Sequence, residues 1–187
     1  MQEKIYLRPL SLKDITEKYL FWINSPSITE YLEIKGHRLE YDDLVKYVID
    51  SPKNGRNNYA IITKNSEIHI GNGSIYAIEP DNGNFEIGWF IGEKNFWGGH
   101  YSSMIIFYLL KIGFIEMGLK KCIGGVEKKN IKARMANKFL GFKETQNGFI
   151  EKDNKKITFI NLEITKKDWL NRTKILHSKY PELFNVY

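Results

Sequence analysis

Residues 86–104 read EIGWFIGEKNFWGGHYSSM, and this stretch does most to decide the fold. Apolar residues over 85–91 indicate a strand, and the glycine-rich turn Trp97-Gly98-Gly99-His100 leads from it into a long apolar helix predicted over 102–117. Glycines at such a junction free backbone N–H groups, and the helix N-terminus adds positive potential. The pattern therefore indicates either a pyrophosphate site or a tight strand-to-helix turn without a ligand.

The rest of the chain predicts a mixed α/β fold around this stretch. The predicted strands cover 4–8, 58–63, 67–78, 85–91, 120–127, 142–151 and 156–164, and the predicted helices cover 12–22, 41–49, 102–117, 130–140 and 166–179. Ser11 and Asp14 resemble a capping box, Gly141 suits a helix C-cap, and Asp153-Asn154 suits a hairpin turn. Because strands and helices do not alternate regularly, a doubly wound dinucleotide-binding fold is disfavoured.

Composition excludes several classes of protein. The net charge of +6 suits an anionic partner, but the lysines are dispersed, so a lysine-heavy composition explains it better and nucleic-acid binding ranks last. Cys122 is the single cysteine, which rules out an internal disulfide and leaves a zinc site without ligands. We therefore expect no metal. The most apolar run, 104–115, is shorter than the ~20 residues of a membrane span, so we expect no membrane association and a cytoplasmic location.

The segment 120–142, KKCIGGVEKKNIKARMANKFLGF, completes a pattern begun by 86–104. Together they resemble the core of the GCN5-related N-acetyltransferases, and more narrowly the branch that acetylates ribosomal proteins. The resemblance implies a single domain with a central, mostly antiparallel and splayed sheet flanked by helices. It assigns 1–55 to acceptor-side helices, 56–142 to an acetyl-CoA core, and 143–187 to a closing hairpin and C-terminal helix.

The resemblance also implies acetyl-CoA as co-substrate, with its pantetheine arm between strands 85–91 and 120–127. The residues expected to bind it are Trp89, Phe90, Ile91, Gly98, Gly99, His100, Tyr101, Ser102, Ser103, Asn130 and Arg134. In the phosphate turn of the family, Asn95 takes the first place and His100 replaces a final small residue. We read His100 as a turn residue beside phosphate rather than a catalytic group, and expect His100→Gly to be tolerated.

Two residues are candidates for catalysis. Glu86 matches a general-base glutamate of several relatives, and the alternative is a strand-end carboxylate paired with a lysine. Asn137 stands where the family often has an acid tyrosine, so it is either a hydrogen-bond donor to the departing sulfur or a solvated helix residue. Backbone N–H groups over 89–91 are expected to polarise the thioester carbonyl.

The acceptor amine is expected to contact the N-terminal helices, through Trp22, Asn24, Tyr31 and Glu33, although for Trp22 a core position is the first expectation. Their mixture of rings and charges favours a small polar amine. The resemblance implies an amino sugar on a nucleotide carrier in surface-glycan biosynthesis as the best choice, since relatives of this kind often act there. A protein N-terminus and a drug are the alternatives, and a non-catalytic CoA-binding or interaction domain is the alternative of another class. A homodimer is left open.

Overall fold

The computed structural model describes residues 3–152 and 155–185, and its backbone is a seven-stranded sheet with six α-helices. The strands are β1 Ile5–Pro9, β2 Asn57–Thr63, β3 His69–Glu79, β4 Asn84–Ile91, β5 Lys121–Glu127, β6 Lys143–Lys152 and β7 Lys155–Thr165. The helices are α1 Glu17–Asn24, α2 Pro26–Thr29, α3 Tyr41–Asp50, α4 Tyr101–Lys111, α5 Ile131–Leu140 and α6 Lys166–Lys179.

The sheet is splayed in its middle. Its order is β1-β2-β3-β4-β5-β7-β6, and every neighbouring pair is antiparallel except β4 and β5. These two strands run parallel and pair at Asn84 with Lys121 and at Phe85 with Cys122. Beyond that point they diverge, and the opening between 86–91 and 123–127 is called the β4–β5 gap below. The predicted mostly antiparallel, splayed sheet is confirmed.

Helix α4 lies inside the larger of two apolar cores, which explains why it is apolar on all sides. Residues from Met104 to Phe107 are at most 1% exposed. At the base of the gap, a Cβ on Gly113 would lie 2.5 Å from the Phe85 ring, so only glycine fits there. Among the described residues, no helix is both long and apolar enough to cross a membrane.

A smaller core joins α1, α2 and α3 to the opposite face of the sheet. Trp22 of α1 is 2% exposed, and its ring meets the edge of His69 with centroids 5.1 Å apart. A Cβ on Gly92 would lie 2.0 Å from this indole, so the close approach requires glycine just after β4. Helix α1 is thereby fixed to the end of β4, the strand that precedes the glycine turn.

Several predicted boundaries shift. The capping box of Ser11 and Asp14 is present, but it closes a single 3-10 turn, and α1 begins after the Thr16 cap. The long helix after the glycine turn ends at Lys111 and continues as a π-helical turn over 112–116. Gly141 takes the left-handed conformation of a C-cap, with φ of 99°, as predicted. The predicted Asp153-Asn154 turn lies outside the described residues.

Candidate active site

Glu86 lies at the point where β4 and β5 part. Side chains alternate along β4, so that Phe85 points into the α4 core while Phe90 packs with α1, and Glu86 shares the face of Phe90. A Cβ on Gly124 of β5 would lie 3.7 Å from Glu86 Oε2, which places the carboxylate at the gap. The missing side chain at Gly124 leaves space in front of it.

The environment of Glu86 suits a base. Partial burial raises the pKa of its carboxyl, and the negative charge of Glu33 acts in the same direction. The Tyr76 hydroxyl and Arg56 oppose that rise. A carboxylate whose pKa is raised, and which remains half-buried beside an opening, is a better proton acceptor than a fully solvated one.

Tyr76 and Arg56 were missed by sequence reasoning. Tyr76 is the β3 partner of Glu86 in register, and burial raises its pKa to about 12, so it stays neutral. Arg56 stacks on the Tyr76 ring at 4.0 Å and donates to Ser74 Oγ at 3.2 Å. We call Glu33, Arg56, Ser74, Tyr76 and Glu86 the acceptor cluster. The turn predicted at 80–84 connects β3 and β4, so the pairing of Tyr76 with Glu86 could have been found from the sequence. No local sequence signal marks Arg56 as a site residue.

The backbone of β4 supplies donors along the gap. Gly92 N donates to Ile70 O on the β3 side, at 2.8 Å. Because amides of an antiparallel strand alternate in direction, those of Trp89 and Ile91 point away from β3, toward the gap, and that of Phe90 does not. Three of the predicted cofactor contacts lie on β4, and that of Phe90 is corrected. The Phe90 amide faces β3, and the Phe90 ring packs beside Trp22.

The glycine turn has the conformation that an anion site needs. Gly98 and Gly99 adopt φ of 98° and 54° and are solvent-exposed. His100 is the N-cap residue of α4 with φ of −102°, so its departure from the family pattern requires no left-handed backbone. The His100 side chain makes no capping hydrogen bond to the first turn of α4, so the amides of that turn are placed to meet a ligand. The residues present therefore fit a pyrophosphate.

The other predicted turn residues divide by burial. Ser102 is half-buried at the start of α4, whereas the Ser103 side chain is 6% exposed, so the predicted hydroxyl donor at Ser103 points into the protein. Tyr101 packs on Phe96, with ring centroids 5.1 Å apart. For Tyr101 and Ser103, only the backbone amides are placed to meet an anion.

The His100 ring belongs to an aromatic group that includes residues following α6. Its centroid lies 4.9 Å from that of Tyr180 and 5.4 Å from that of Phe139, and Phe184 completes the group at 6.3 Å. The imidazole is half-buried by these rings. This packing indicates that His100 anchors the turn rather than serving as an acid or base.

Two lysines beside the turn are a further feature that sequence reasoning missed. Lys94 and Lys132 lie 5.7 and 5.4 Å from the Trp97 ring centroid, and the Trp97 indole donates to Ile91 O at 2.8 Å. The tryptophan thus ties the turn to the end of β4, and the two ammonium groups add positive charge around it. Lysines are common throughout this chain, so neither one stood out.

Residues on α5 have mixed positions. Asn130 caps the helix by accepting from Ala133 N at 3.1 Å, which leaves its amide nitrogen for another acceptor. Asn137 is 3% exposed and donates to Ala133 O at 2.9 Å, so the solvated-residue alternative is wrong. Arg134 is held by Glu144 at 2.9 and 3.0 Å, and a cofactor phosphate would have to displace that carboxylate.

The four predicted acceptor contacts also divide. Trp22 is buried in the small core, which confirms the first expectation for it and corrects its alternative assignment as an acceptor contact. Asn24 is corrected in the same way, because its amide bonds the Leu39 backbone in both directions, at 2.8 and 2.9 Å. The charge of Glu33 helps to raise the pKa of the Glu86 carboxyl, so this predicted contact acts on the site. Burial and the neighbouring Glu30 are the main causes that raise the pKa of the Tyr31 hydroxyl, and its role as an acceptor contact stays a prediction.

Comparison with known proteins agrees with this geometry. A family model described as an acetyltransferase (GNAT) domain matches residues 4–143. The uncharacterised N-acetyltransferase p20 of Bacillus licheniformis is 28% identical over 131 residues, covering 68% of this chain and 72% of that protein. An uncharacterised protein of Methanocaldococcus jannaschii is 26% identical over 159 residues, which are 85% of this chain but 31% of the relative.

Solved structures share the fold. The spermidine N-acetyltransferase of Vibrio cholerae, solved with CoA and spermine, superposes with a TM-score of 0.79 at 19% identity, covering 90% of this chain and 99% of that one. A domain from Methanocaldococcus jannaschii superposes with a TM-score of 0.71 at 23% identity, covering 88% and 99%. At these identities the likeness concerns the fold alone.

Proposed function

The chain belongs to the GNAT acetyltransferase family, which uses acetyl-CoA, and on that premise we propose that it acetylates the primary amine of a small polar acceptor, with Glu86 as general base. The observation that carries the proposal is the half-buried Glu86 at the point where β4 and β5 part. Partial burial and the charge of Glu33 make this carboxylate a stronger base than a solvated one.

In the proposed reaction, Glu86 accepts the proton that the acceptor ammonium must lose before it attacks the thioester. The amides of Trp89 and Ile91 donate to the oxygen that gains negative charge in the tetrahedral intermediate. Asn137 gives one amide hydrogen to Ala133 O, and we assign its second hydrogen to the sulfur as the thiolate departs. Gly98, Gly99 and the first amides of α4 hold the pyrophosphate.

The acceptor class that we favour is an amino sugar on a nucleotide carrier. The acceptor cluster offers carboxylates for an ammonium group, the half-buried Tyr76 hydroxyl for a sugar oxygen, and the Arg56 cation, which Ser74 supports. We further propose a cytoplasmic location, since the lone Cys122 is fully buried and unpaired. A homodimer is supported by exposed Phe149 and Ile150 on the edge strand β6.

A panel of amines incubated with acetyl-CoA, read by release of free thiol, tests the proposal. The panel contains an amino sugar nucleotide, a peptide with a free N-terminus, an aminoglycoside and spermidine, and we expect the amino sugar nucleotide to turn over fastest. A preference for the peptide would favour a protein-modifying enzyme. Binding of CoA without thiol release on any amine would identify a non-catalytic domain.

A further inference from the structure

We propose that Arg56 binds a phosphoryl group attached to the acceptor, and so selects amines that are carried on a phosphorylated sugar. This inference rests on the proposed N-acetyltransferase function and adds the property by which the site recognises its acceptor. Arg56 is not part of the sequence pattern that identified the family. Its assignment comes from its position, its supports and its lack of an acidic partner among the described residues.

The backbone fixes where Arg56 begins. A single 3-10 turn over Pro52–Asn54 ends at Gly55, whose φ of 72° reverses the chain, and Arg56 N then donates to Ser51 O at 2.9 Å. Ser51 is 5% exposed, so this anchor lies inside the protein. The backbone of Arg56 is therefore held in place directly before the first residue of β2.

The guanidinium is then held against the sheet. It stacks on the Tyr76 ring at 4.0 Å and donates to Ser74 Oγ at 3.2 Å. Stacking on an aromatic face orients the plane of the guanidinium and leaves its edge donors directed outward. Since Tyr76 is the register partner of Glu86, the cation lies beside the proposed base on the same face of the sheet.

Arg56 differs from most other arginines of the described chain in having no carboxylate within ion-pair distance. Arg8, Arg38 and Arg134 each pair with an acidic side chain, at 2.6, 3.2 and 2.9 Å. A guanidinium carries five N–H donors, and the Arg56 side chain spends one hydrogen bond on Ser74. The remaining fork matches the paired oxygens of a phosphoryl group.

The charges around Arg56 assign the two ends of the acceptor. Glu33 and Glu86 are the carboxylates of this cluster, with Glu79 as a smaller contribution to the negative charge at Glu86, and they suit the ammonium end. The guanidinium suits an anionic end, with the Tyr76 ring between the two. An amine that bears a phosphoryl group on the same compact ring satisfies both charges, whereas an uncharged glycoside offers no anion to the outward donors of Arg56.

The test compares one amino sugar in two forms, its 1-phosphate and its methyl glycoside. We expect the wild-type protein to prefer the 1-phosphate in kcat/KM by about tenfold to a hundredfold, as one charge-assisted hydrogen-bonded pair supplies. Arg56→Gln should reduce that ratio to near one, and Arg56→Lys should retain part of it, since lysine keeps the charge without the fork. Any effect of Arg56 on Glu86 acts on both acceptors and cancels in the ratio.

Lys53→Gln is the matched control, because it removes a cation that is exposed and paired with Asp50; its ratio should equal that of the wild type. A wild-type ratio near one, or a ratio that Arg56→Gln leaves unchanged, overturns the inference while thiol release still supports acetyl transfer. Absence of thiol release with every amine removes the proposed function itself, and the inference with it.

Discussion

The phosphate turn follows the end of β4 and the acceptor cluster surrounds Glu86 near the start of the same strand, and the two are assembled in different ways. The turn is one contiguous segment, in which Gly98 and Gly99 set the backbone and α4 supplies the amides. The acceptor cluster brings together Glu33, Arg56, Ser74, Tyr76 and Glu86 from separate parts of the chain. In the proposed function the turn holds the pyrophosphate with backbone atoms, whereas the cluster acts on the acceptor through side chains.

This difference teaches which half of the site a sequence can reveal. A backbone site leaves a local signature, because only glycine adopts such φ values without strain. A side-chain site assembled by sheet pairing leaves none until the register is known. We therefore expect changes in the cluster to alter chemistry and selectivity, and changes in the turn to alter cofactor affinity.

The largest expected effect is that of Glu86→Gln. Removing a general base typically costs ~10²–10⁴-fold in rate, so kcat/KM should fall within that range near pH 7. The deficit should shrink as pH rises, because the amine then loses its proton without help. Measuring kcat/KM from pH 6.5 to 9, with CoA affinity as the control, checks this, and wild-type turnover throughout would make Glu86 a structural carboxylate.

The same variant separates activity from stability. Because burial raises the pKa of Glu86 above 4.5, its ionisation opposes folding, and this penalty grows as pH rises through the folded-state pKa. At neutral pH the neutral glutamine escapes the penalty, so Glu86→Gln should unfold at the same temperature as the wild type or higher. A clear loss of thermal stability would show that the carboxylate holds the fold together.

An intermediate effect is expected at the turn. Gly98→Val should weaken acetyl-CoA binding at least tenfold in calorimetry, since φ of 98° strains a branched residue by ~1–3 kcal/mol. A Cβ there meets no protein atom within 4 Å, so strain and crowding of the ligand are the only causes. Gly118→Val is the matched control: Gly118 has φ of 72° and equally open space, and its substitution should lower stability without changing affinity.

The smallest effect is expected at His100. Sequence alone predicted that His100→Gly is tolerated, but the ring packs on Tyr180 and Phe139. Aromatic pairs contribute ~0.5–1.5 kcal/mol each, so the variant should lose about 1–3 kcal/mol and melt a few degrees earlier. His37→Gly, at an exposed position, serves as the control. An unchanged melting temperature for His100→Gly would restore the original expectation.

Much of the architecture was predictable because the spacing of apolar residues and the position of turn-forming and capping residues are local signals. The last helix and the Gly141 cap were predicted from such patterns, whereas the splay between β4 and β5 came from the family resemblance. The short helix α2 was missed, because Pro26 reads as a stop although it is also favoured in a first helical turn. The π-helical turn after Lys111 was invisible, since its residues continue the apolar run.

The site was predictable in proportion to how much of it is backbone. Glu86 and the glycine turn could be recognised because both lie in the contiguous stretch 86–104, which resembles the core of the family. Trp22 and Asn24 were assigned to the acceptor because their residue types suit a binding pocket. The Trp22 indole is instead buried against Gly92, and the Asn24 amide makes two hydrogen bonds with the Leu39 backbone, so neither side chain is left for an acceptor. Only tertiary packing distinguishes the two uses.

The contact between Trp22 and Gly92 also limits how this enzyme can be re-engineered. Exchanging acceptor-side helices between relatives is a natural route to new substrates, and α1 is the segment such an exchange would carry. Its indole occupies the space of a Cβ at position 92, so a transplanted helix with tryptophan requires glycine in the recipient strand. The transferable unit is therefore the helix together with the residue that follows β4, and a chimera that separates them would lose the alignment between acceptor and thioester.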